Sequence, residues 1–356
     1  MKYCFKNYTI SIVIVFFIGC RSDNKLNDIF FEKTTELKHQ VIIDKEEGLM
    51  GYDLTVLNDS LMVLFNPGKD KIYELVNLNS GKSIFRFAKL GEGPGEFSMP
   101  TQLSLGIKKN GIIGVFHRRS FIFSEIPLDS IIRDPDYTPA KTYSGFDFNH
   151  YALYKLNNGN FLGLGYFDKR FVISNSEGQL LYKFGEYPFE EELQIAGFTK
   201  AKLAYTFQGT GKFHPSGDKF IFASRSALNF DILDIQKDTA KVSYQLHLEK
   251  PMILPGDPES FDVEFDIGNK VAFVDVSVTE KHIYLLYFGK SRKDIVDFDL
   301  DGAREIWVFD WEGQPLHKIH LDIGLSNIEV INDHKIIGIN NKKIPEVYEF
   351  DLIGLK

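Results

Sequence analysis

The stretch Asn58-Asp59-Ser60-Leu61-Met62-Val63-Leu64-Phe65 places a polar turn directly before a short run of apolar residues. Asparagine, aspartate and serine favour tight turns, and a short apolar run bounded by such residues is typical of a β-strand. The run is apolar at consecutive positions, which indicates a strand buried on both faces. The stretch therefore predicts one arm of a β-hairpin that is packed between two other layers.

The same pattern occurs six times along the chain. The apolar runs are Leu61–Phe65, Ile112–Phe116, Phe161–Phe167, Phe220–Ala223, Ile283–Phe288 and Ile336–Ile339. Their starts are separated by 51, 49, 59, 63 and 53 residues. A hairpin signal that recurs at this period is the pattern of a β-propeller blade. We therefore predict an all-β, six-bladed β-propeller.

A further strand follows each run, and the chain ends are expected to close the ring. These third strands are Ile72–Leu78, Phe121–Leu128, Phe171–Ser174, Phe230–Ile235, Ile306–Phe309 and Val347–Leu352. The last copy has too little chain left for a fourth strand, and the strand-like segment Leu37–Ile43 can supply one. Closure removes exposed sheet edges. We predict four-stranded blades in one propeller domain over residues 37–356.

The first residues have the organisation of a secretory signal. Lys2 and Lys6 precede an apolar run over residues 10–18, which is shorter than the about 20 residues that span a bilayer. The segment 17–20 (FIGC) resembles the bacterial lipobox, in which the cysteine becomes the lipid-bearing first residue. We therefore predict a signal peptide over residues 1–19, a lipidated, palmitate-bearing Cys20 and a lipid tether over residues 20–36.

This leader implies a place in the cell envelope. Cys4 and Cys20 are the two cysteines of the chain, so the mature protein has no disulfide and depends on its core for stability. By resemblance to other bacterial lipoproteins, a second mature residue other than Asp, here Arg21, implies the outer membrane. We expect a monomer that is anchored there and faces the periplasm or the medium.

The charge balance excludes one class of partner. The chain carries 41 basic and 49 acidic residues, and removal of Lys2 and Lys6 with the signal peptide leaves 39 against 49. A nucleic-acid binder needs a basic surface that neutralises phosphates. We therefore expect no nucleic-acid partner.

One turn resembles a known family. The segment 91–97 (GEGPGEF) follows the last strand of the first blade and resembles the turn of the TolB-like six-bladed propeller lipoproteins. A degenerate echo at 185–188 (GEYP) and the strand and turn at 306–313 (IWVFDWEG) carry the same resemblance. The resemblance implies the fold and an exported location, and it implies no established activity or catalytic residue. The glycines and the proline of the first turn also suit a purely structural turn.

Strand direction alternates within a blade, so the hairpins between strands two and three share one face with the connections from strand four to the next blade. We call this side the loop face. The long segments 91–97, 185–205 and 249–270 and an insertion in the fifth blade belong to it. Insertions in repeat proteins collect on the binding face. We therefore predict that the loop face binds a protein, peptide or glycan. The candidate contact residues are Glu92, Glu96, Glu186 and Tyr187.

The fifth-blade insertion contains a candidate calcium loop. It has oxygen ligands at positions one, three, five and nine, with Gly302 available for a sharp turn, as calcium favours. These candidate metal ligands are Asp297, Asp299, Asp301 and Glu305. The loop is not an EF-hand, because Val308 stands at position twelve. The alternative is a solvated acidic loop without an ion.

The chain has no recognisable catalytic motif: no zinc-protease helix, no nucleophile elbow and no cysteine nucleophile. A binding module is therefore the leading hypothesis, and whether any catalysis occurs stays open. The alternative is a calcium-dependent hydrolase or lyase, similar to the lactonase-like propellers, with a metal in the central channel. Asp53, Asp275 and Asn327 are candidates for such a site. A purely structural scaffold is the third hypothesis.

Overall fold

The structure is a computed structural model, and it describes most of the chain after the leader. The described residues are 29, 31–43, 53–66, 70–93, 95–98, 104–105, 111–139, 141–236, 239–254, 263–297, 300–340 and 346–352. The signal peptide and Cys20 lie outside the described residues. No helix in the described part of the chain is long and apolar enough to span a membrane.

Two short strands precede the first blade, and the first three blades follow in chain order. The leading strands are β1 (Lys33–Leu37) and β2 (Gln40–Ile43). Blade 1 contains β3 (Asp53–Asn58), β4 (Leu61–Phe65), β5 (Lys71–Asn77) and β6 (Ser83–Lys89). Blade 2 contains β7 (Ser104–Leu105), β8 (Ile112–His117), β9 (Ile122–Pro127), helix α1 (Leu128–Arg133) and β10 (Lys141–Tyr143). Blade 3 contains β11 (His150–Lys155), β12 (Phe161–Gly165), β13 (Phe171–Ser174) and β14 (Leu180–Phe184).

In the second half of the ring, helices precede blade 4 and interrupt blade 5. Helices α2 (Glu190–Ile195) and α3 (Lys200–Thr206) lead to blade 4, which contains β15 (Gly209–Phe213), β16 (Lys219–Ser224), β17 (Asn229–Ile235) and β18 (Ala240–His247). Blade 5 contains β19 (Lys270–Val278), β20 (His282–Ser291), helix α4 (Arg292–Asp297), β21 (Ala303–Asp310) and β22 (Pro315–Leu325). Blade 6 contains β23 (Asn327–Ile331), β24 (Lys335–Ile339) and β25 (Val347–Asp351). All six predicted apolar runs are second strands, which confirms the six-bladed propeller.

The first strand of each blade lies at the inner edge of its sheet. Along one side of the ring, β15 packs beside β19, β19 beside β23, and β23 beside β3. These first strands therefore surround the central axis, and any side chain that they direct inward meets side chains from other blades.

Large aromatic side chains fill the space between blades. Between blades 4 and 5, Phe230, Phe273 and Trp307 belong to one buried cluster, and the rings of Trp307 and Tyr287 lie 4.3 Å apart. Burial of one such side chain stabilises the fold by about 1.5–3 kcal/mol. Both faces of a middle strand take part in this packing, which explains why the second strands are apolar at consecutive positions.

The N-terminal strand closes the ring, as the sequence predicts. Strand β2 pairs antiparallel with β25, with Gln40 opposite Glu349 and Val41 opposite Tyr348. Ile43 at its end is 3% exposed and packs in the cluster between blades 6 and 1. Blade 6 therefore obtains its fourth strand from the other end of the domain.

Strand β1 was not expected from the sequence. It pairs in parallel with β22, from Lys33 opposite His317 to Leu37 opposite Leu321, and blade 5 has five strands as a result. The Phe31 ring packs against Trp307, with centroids 5.4 Å apart. The last residues of the predicted tether, 33–36, therefore belong to a strand of blade 5. The segment KTTEL has few apolar residues. It can still form an outer edge strand, because backbone pairing holds such a strand in place.

Connections on the two faces differ in length, as predicted. On the loop face, the connection 185–208 carries α2 and α3, the connection 248–269 joins blades 4 and 5, and α4 lies between β20 and β21. On the opposite face, the turns 279–281 and 332–334 are short. The exception on that face is α1, which lies between β9 and β10.

Candidate functional site

The segment 91–97 forms a turn whose glycines make room for a carboxylate. Glu96 folds back over the turn, where its carboxylate accepts the N–H of Gly93 at 2.9 Å and an N–H from Lys89 Nζ at 2.6 Å. These hydrogen bonds hold the pKa of Glu96 below its usual range. A Cβ at Gly91 would lie 1.9 Å from Glu96 Oε2, so a larger residue there would displace the Glu96 carboxylate from this position. The structural role expected for this turn therefore includes Glu96 itself.

A cavity of about 620 Å³ lies where this turn crosses onto blade 2. Volumes of this size are usual for ligand sites. The lining combines backbone of the turn with hydroxyl-bearing side chains. The hydroxyls belong to Ser98, Ser120, Ser124, Thr138 and Thr142.

His117 is the buried centre of this lining. Its ring stacks on Phe97, with centroids 4.8 Å apart, and its Nε2 lies 2.9 Å from Ser124 Oγ. Burial lowers the pKa of His117 to about 4, so the imidazole is neutral at physiological pH. No sequence pattern selects this histidine, because its role depends on a turn from the preceding blade.

An exposed ion pair stands at the mouth of the cavity. Arg119 Nε lies 3.0 Å from Glu92 Oε1, and the two side chains are 66% and 64% exposed. Glu92 is thus the predicted loop-face residue whose charged group faces solvent beside a cavity. An ion pair in this setting adds little to stability, which leaves both groups available to a ligand.

The predicted contact residues Glu186 and Tyr187 lie on the next long connection of the loop face. Glu186 forms an exposed ion pair with Lys169. Tyr187 is 5% exposed, and its hydroxyl lies within hydrogen-bonding distance of the carbonyl oxygens of Phe167 at 3.0 Å and Lys169 at 3.2 Å, to either of which it can donate. Tyr187 therefore fixes this connection to the hairpin of blade 3.

The most exposed apolar side chains also belong to the loop face. Among the described residues, five large apolar side chains are more than 50% exposed, and all five occur in loop-face connections. They are Phe148 (75%), Ile195 (84%), Met252 (54%), Ile267 (60%) and Val296 (78%).

Four of these side chains, together with Leu254, lie on segments that contact one another. Lys250 Nζ lies 3.1 Å from Glu192 Oε2, which joins the connection 248–254 to α2. The N–H of Lys293 in α4 donates to the carbonyl oxygen of Ile267 at 3.0 Å. We call the surface formed by Ile195, Met252, Leu254, Ile267 and Val296 the apolar patch.

Polar side chains from four blades meet at the axis. Asn327 Nδ2 donates to Asp275 Oδ2 at 2.7 Å, and Asn327 Oδ1 accepts the N–H of Leu54 at 3.1 Å. Deeper along the same strands, Lys212 Nζ lies 2.7 Å from Glu329 Oε1. These contacts tie blades 4, 5, 6 and 1 together across the channel.

Two carboxyl groups at the axis have altered acidity. Burial raises the pKa of Asp53 above its usual range, and the charge of Asp275 raises it further. Burial also raises the pKa of Asp275, against the effect of Lys212. The channel can therefore hold a proton on a carboxyl group at a pH at which an exposed carboxyl has lost it.

The three predicted channel residues Asp53, Asp275 and Asn327 therefore share one neighbourhood. Glu329, Ser277 and Lys212 belong to it as well and were not selected from the sequence. Glu329 and Ser277 follow Asn327 and Asp275 by two residues, and residues two apart on a strand share a face. That spacing is the signal that could have found them.

The candidate calcium loop is only partly described. Asp299 lies outside the described residues, and Asp297 is the last residue of α4. The Asp301 carboxylate pairs with Arg304 at 3.0 Å, and Glu305 accepts an N–H from the Trp307 indole. Within the described ranges, no three His, Cys, Asp or Glu side chains are grouped to hold a metal ion. Calcium binding, in this loop or in the channel, stays a prediction.

These features define a class: an all-β, six-bladed propeller with one elaborated face, a channel of buried ionisable groups and no recognisable catalytic motif. The sequence model of the TolB-like 6-blade propeller-like family matches residues 30–333, so the chain belongs to this family. Propellers of this kind commonly serve as scaffolds for protein interactions.

Solved structures agree with the fold. A protein from Bacteroides fragilis NCTC 9343 that is described as exported superposes with a TM-score of 0.52 at 11% identity, over 89% of this chain and 98% of that one. A member of the DUF4221 family from Bacteroides vulgatus superposes with a TM-score of 0.50 at 7% identity, over 88% of this chain and 96% of that one. At such identities the similarity concerns the fold alone. No curated protein sequence matches this chain.

Proposed function

We propose that this protein is a binding module of the bacterial cell envelope that docks a protein or peptide partner on its loop face. The observation that carries the proposal is the distribution of exposed apolar side chains. All five that are more than 50% exposed among the described residues occur in loop-face connections. Exposed apolar side chains that collect on one face mark a candidate interaction site.

The composition of the apolar patch favours a protein or peptide. Aliphatic side chains such as Ile195 and Val296 gain from burial against other apolar surface. Charged residues such as Lys250 and Glu192 stand between them and can pair at the edge of an interface. A long glycan offers less apolar surface to such a patch.

Photo-crosslinking in cells tests the docking surface. A photoreactive amino acid in place of Ile195 or Val296 is expected to link the protein to a discrete partner. The same amino acid in place of Leu181, which is 50% exposed on the outer strand of blade 3, is the matched control. The substitutions Ile195→Asp and Val296→Asp are expected to abolish capture of that partner, and Leu181→Asp to leave it unchanged. Equal crosslinking from both surfaces, or from neither, contradicts the proposal.

The location in the envelope is the second part of the proposal, and the sequence supports it through the leader and Cys20. Cys20→Ala removes the thiol that would carry the lipid. We expect this variant to move from the membrane fraction to the soluble fraction or to accumulate unprocessed, and Cys4→Ala to behave like the wild type. Metabolic labelling with a palmitate analogue measures the lipid directly. Unchanged membrane association of an unlabelled Cys20→Ala protein would exclude the anchor.

A further inference from the structure

The cavity beside the turn 91–97 is separate from the apolar patch and differs from it in chemistry. It lies between blade 1 and blade 2, while the patch lies on connections near blades 3 to 5. Its lining contains buried polar side chains, of which His117, Ser98 and Ser124 are 5%, 8% and 2% exposed. The cavity therefore suits a different kind of ligand from the one that the apolar patch would bind.

The interior of the cavity carries hydrogen-bonding groups and little charge. The buried Ser98 Oγ lies 2.9 Å from Ser120 Oγ at the rim, and a hydroxyl can donate and accept. The His117 imidazole is neutral, because burial lowers its pKa. The carboxylate of Glu96 is already held by Lys89 and the N–H of Gly93. Among the described lining residues of the interior, no side chain carries a positive charge that would bind a phosphate or another multivalent anion.

The mouth of the cavity offers a donor and an acceptor side by side. Arg119 has guanidinium N–H groups directed to more than one side, and Glu92 has a second carboxylate oxygen. Adjacent hydroxyl groups of a ligand can accept from the guanidinium and donate to the carboxylate. The mouth pair and the buried hydroxyls therefore suit the same kind of molecule, one with several neighbouring hydroxyl groups.

We propose that this cavity binds a neutral saccharide, with Glu92, Arg119 and Ser120 at the mouth and Ser98 and His117 in the interior. The volume of about 620 Å³ admits a small sugar and excludes a folded domain. The inference rests on the proposed function in one respect only, which is the choice of the loop face as the binding face.

Ligand-observed NMR on the purified full-length protein, with glucose, galactose, mannose and N-acetylglucosamine as probes, tests the site. We expect at least one of these sugars to bind the wild type. Arg119→Ala is expected to weaken binding about tenfold or more, because it removes a charged hydrogen bond. Arg118→Ala, a change at the adjacent exposed arginine that does not line the cavity, is expected to have no effect.

A blocking variant separates the site from adventitious surface binding. Ser120 is exposed at the rim, so Ser120→Phe is expected to fill the cavity without disturbing the core and to abolish saccharide binding, while Ser176→Phe in a distant exposed turn preserves it. Binding of none of the four sugars, or binding that survives Ser120→Phe in a protein with an unchanged melting temperature, overturns this inference. Retained crosslinking to the partner in the same variant shows that the proposed docking function stands. If partner capture is lost while sugar binding is intact, the docking proposal fails and the saccharide inference stands.

Discussion

At the scale of single residues, the axis is where the chain departs furthest from an ordinary apolar interior. Asp53 stands at the start of β3, near Asp275 and the Lys212–Glu329 pair. Charged groups that leave water lose hydration, and partial pairing restores only part of it. Burial therefore raises the pKa of Asp53, which means that the folded protein prefers this group protonated.

The acidity of Asp53 predicts a specific dependence of stability on pH. Because the folded-state pKa is raised, the contribution of this group is fully present below about pH 4, the pKa of a free carboxyl, and is lost as the pH rises toward the folded-state value. Asn resembles the protonated form and keeps the oxygen that accepts from Leu54. We expect Asp53→Asn to match the wild type near pH 4 and to be more stable near pH 8, by about 1.4 kcal/mol for each unit of pKa elevation.

Chemical denaturation at several pH values measures this difference. Asp351→Asn, at an exposed position of β25, is the control and should change stability little at any pH. A variant Asp53→Asn that is less stable than the wild type near pH 8 would show that the charged carboxylate is stabilising, contrary to this reasoning.

At the scale of elements, one short strand has a large consequence. Strand β2 contains four residues, yet it supplies the outer strand of the last blade and joins the two ends of the domain. A ring without it would leave β25 as an exposed edge, and exposed edges favour aggregation. The closure depends on few side chains, because β2 has one fully buried residue, Ile43.

Ile43 therefore tests closure by a single substitution. Ile43→Ala leaves a cavity in the cluster between blades 6 and 1, and we expect a loss of about 2–5 kcal/mol in the free energy of unfolding. Val41→Ala, on the same strand but 48% exposed, should cost less than about 0.5 kcal/mol. Equilibrium unfolding in urea measures both, and equal effects of the two substitutions would argue against a closure that depends on Ile43.

The sequence predicts elements well where burial imposes a pattern. The second strands are apolar at consecutive positions because neighbouring blades cover both faces, and that pattern is visible without a structure. Strand β1 has no such pattern, since its residues are mostly exposed and backbone hydrogen bonds to β22 hold it in place. Helices α2 and α3 are not predicted from the sequence either, because each is too short for a clear helical periodicity.

At the scale of the whole molecule, connectivity alone predicts the two faces, because strand direction alternates in every blade. It does not predict which side chains meet across the ring. Lys212 and Glu329 are 117 positions apart and pair only because the circle brings β15 near β23. The cavity likewise requires the turn 91–97 to lie against blade 2, so its lining residue His117 could not be selected from spacing.

The direction of strand β1 determines the side of the ring at which this strand begins. It runs in the same direction as β22, which leads away from the turn 311–314 of the opposite face. Lys33 therefore lies at the end of β1 that is nearer the opposite face, and Phe31 just ahead of it packs against Trp307. This entry point lies on the side of the ring away from the loop face, which carries the apolar patch. A partner docked on the loop face would therefore leave the start of β1 uncovered.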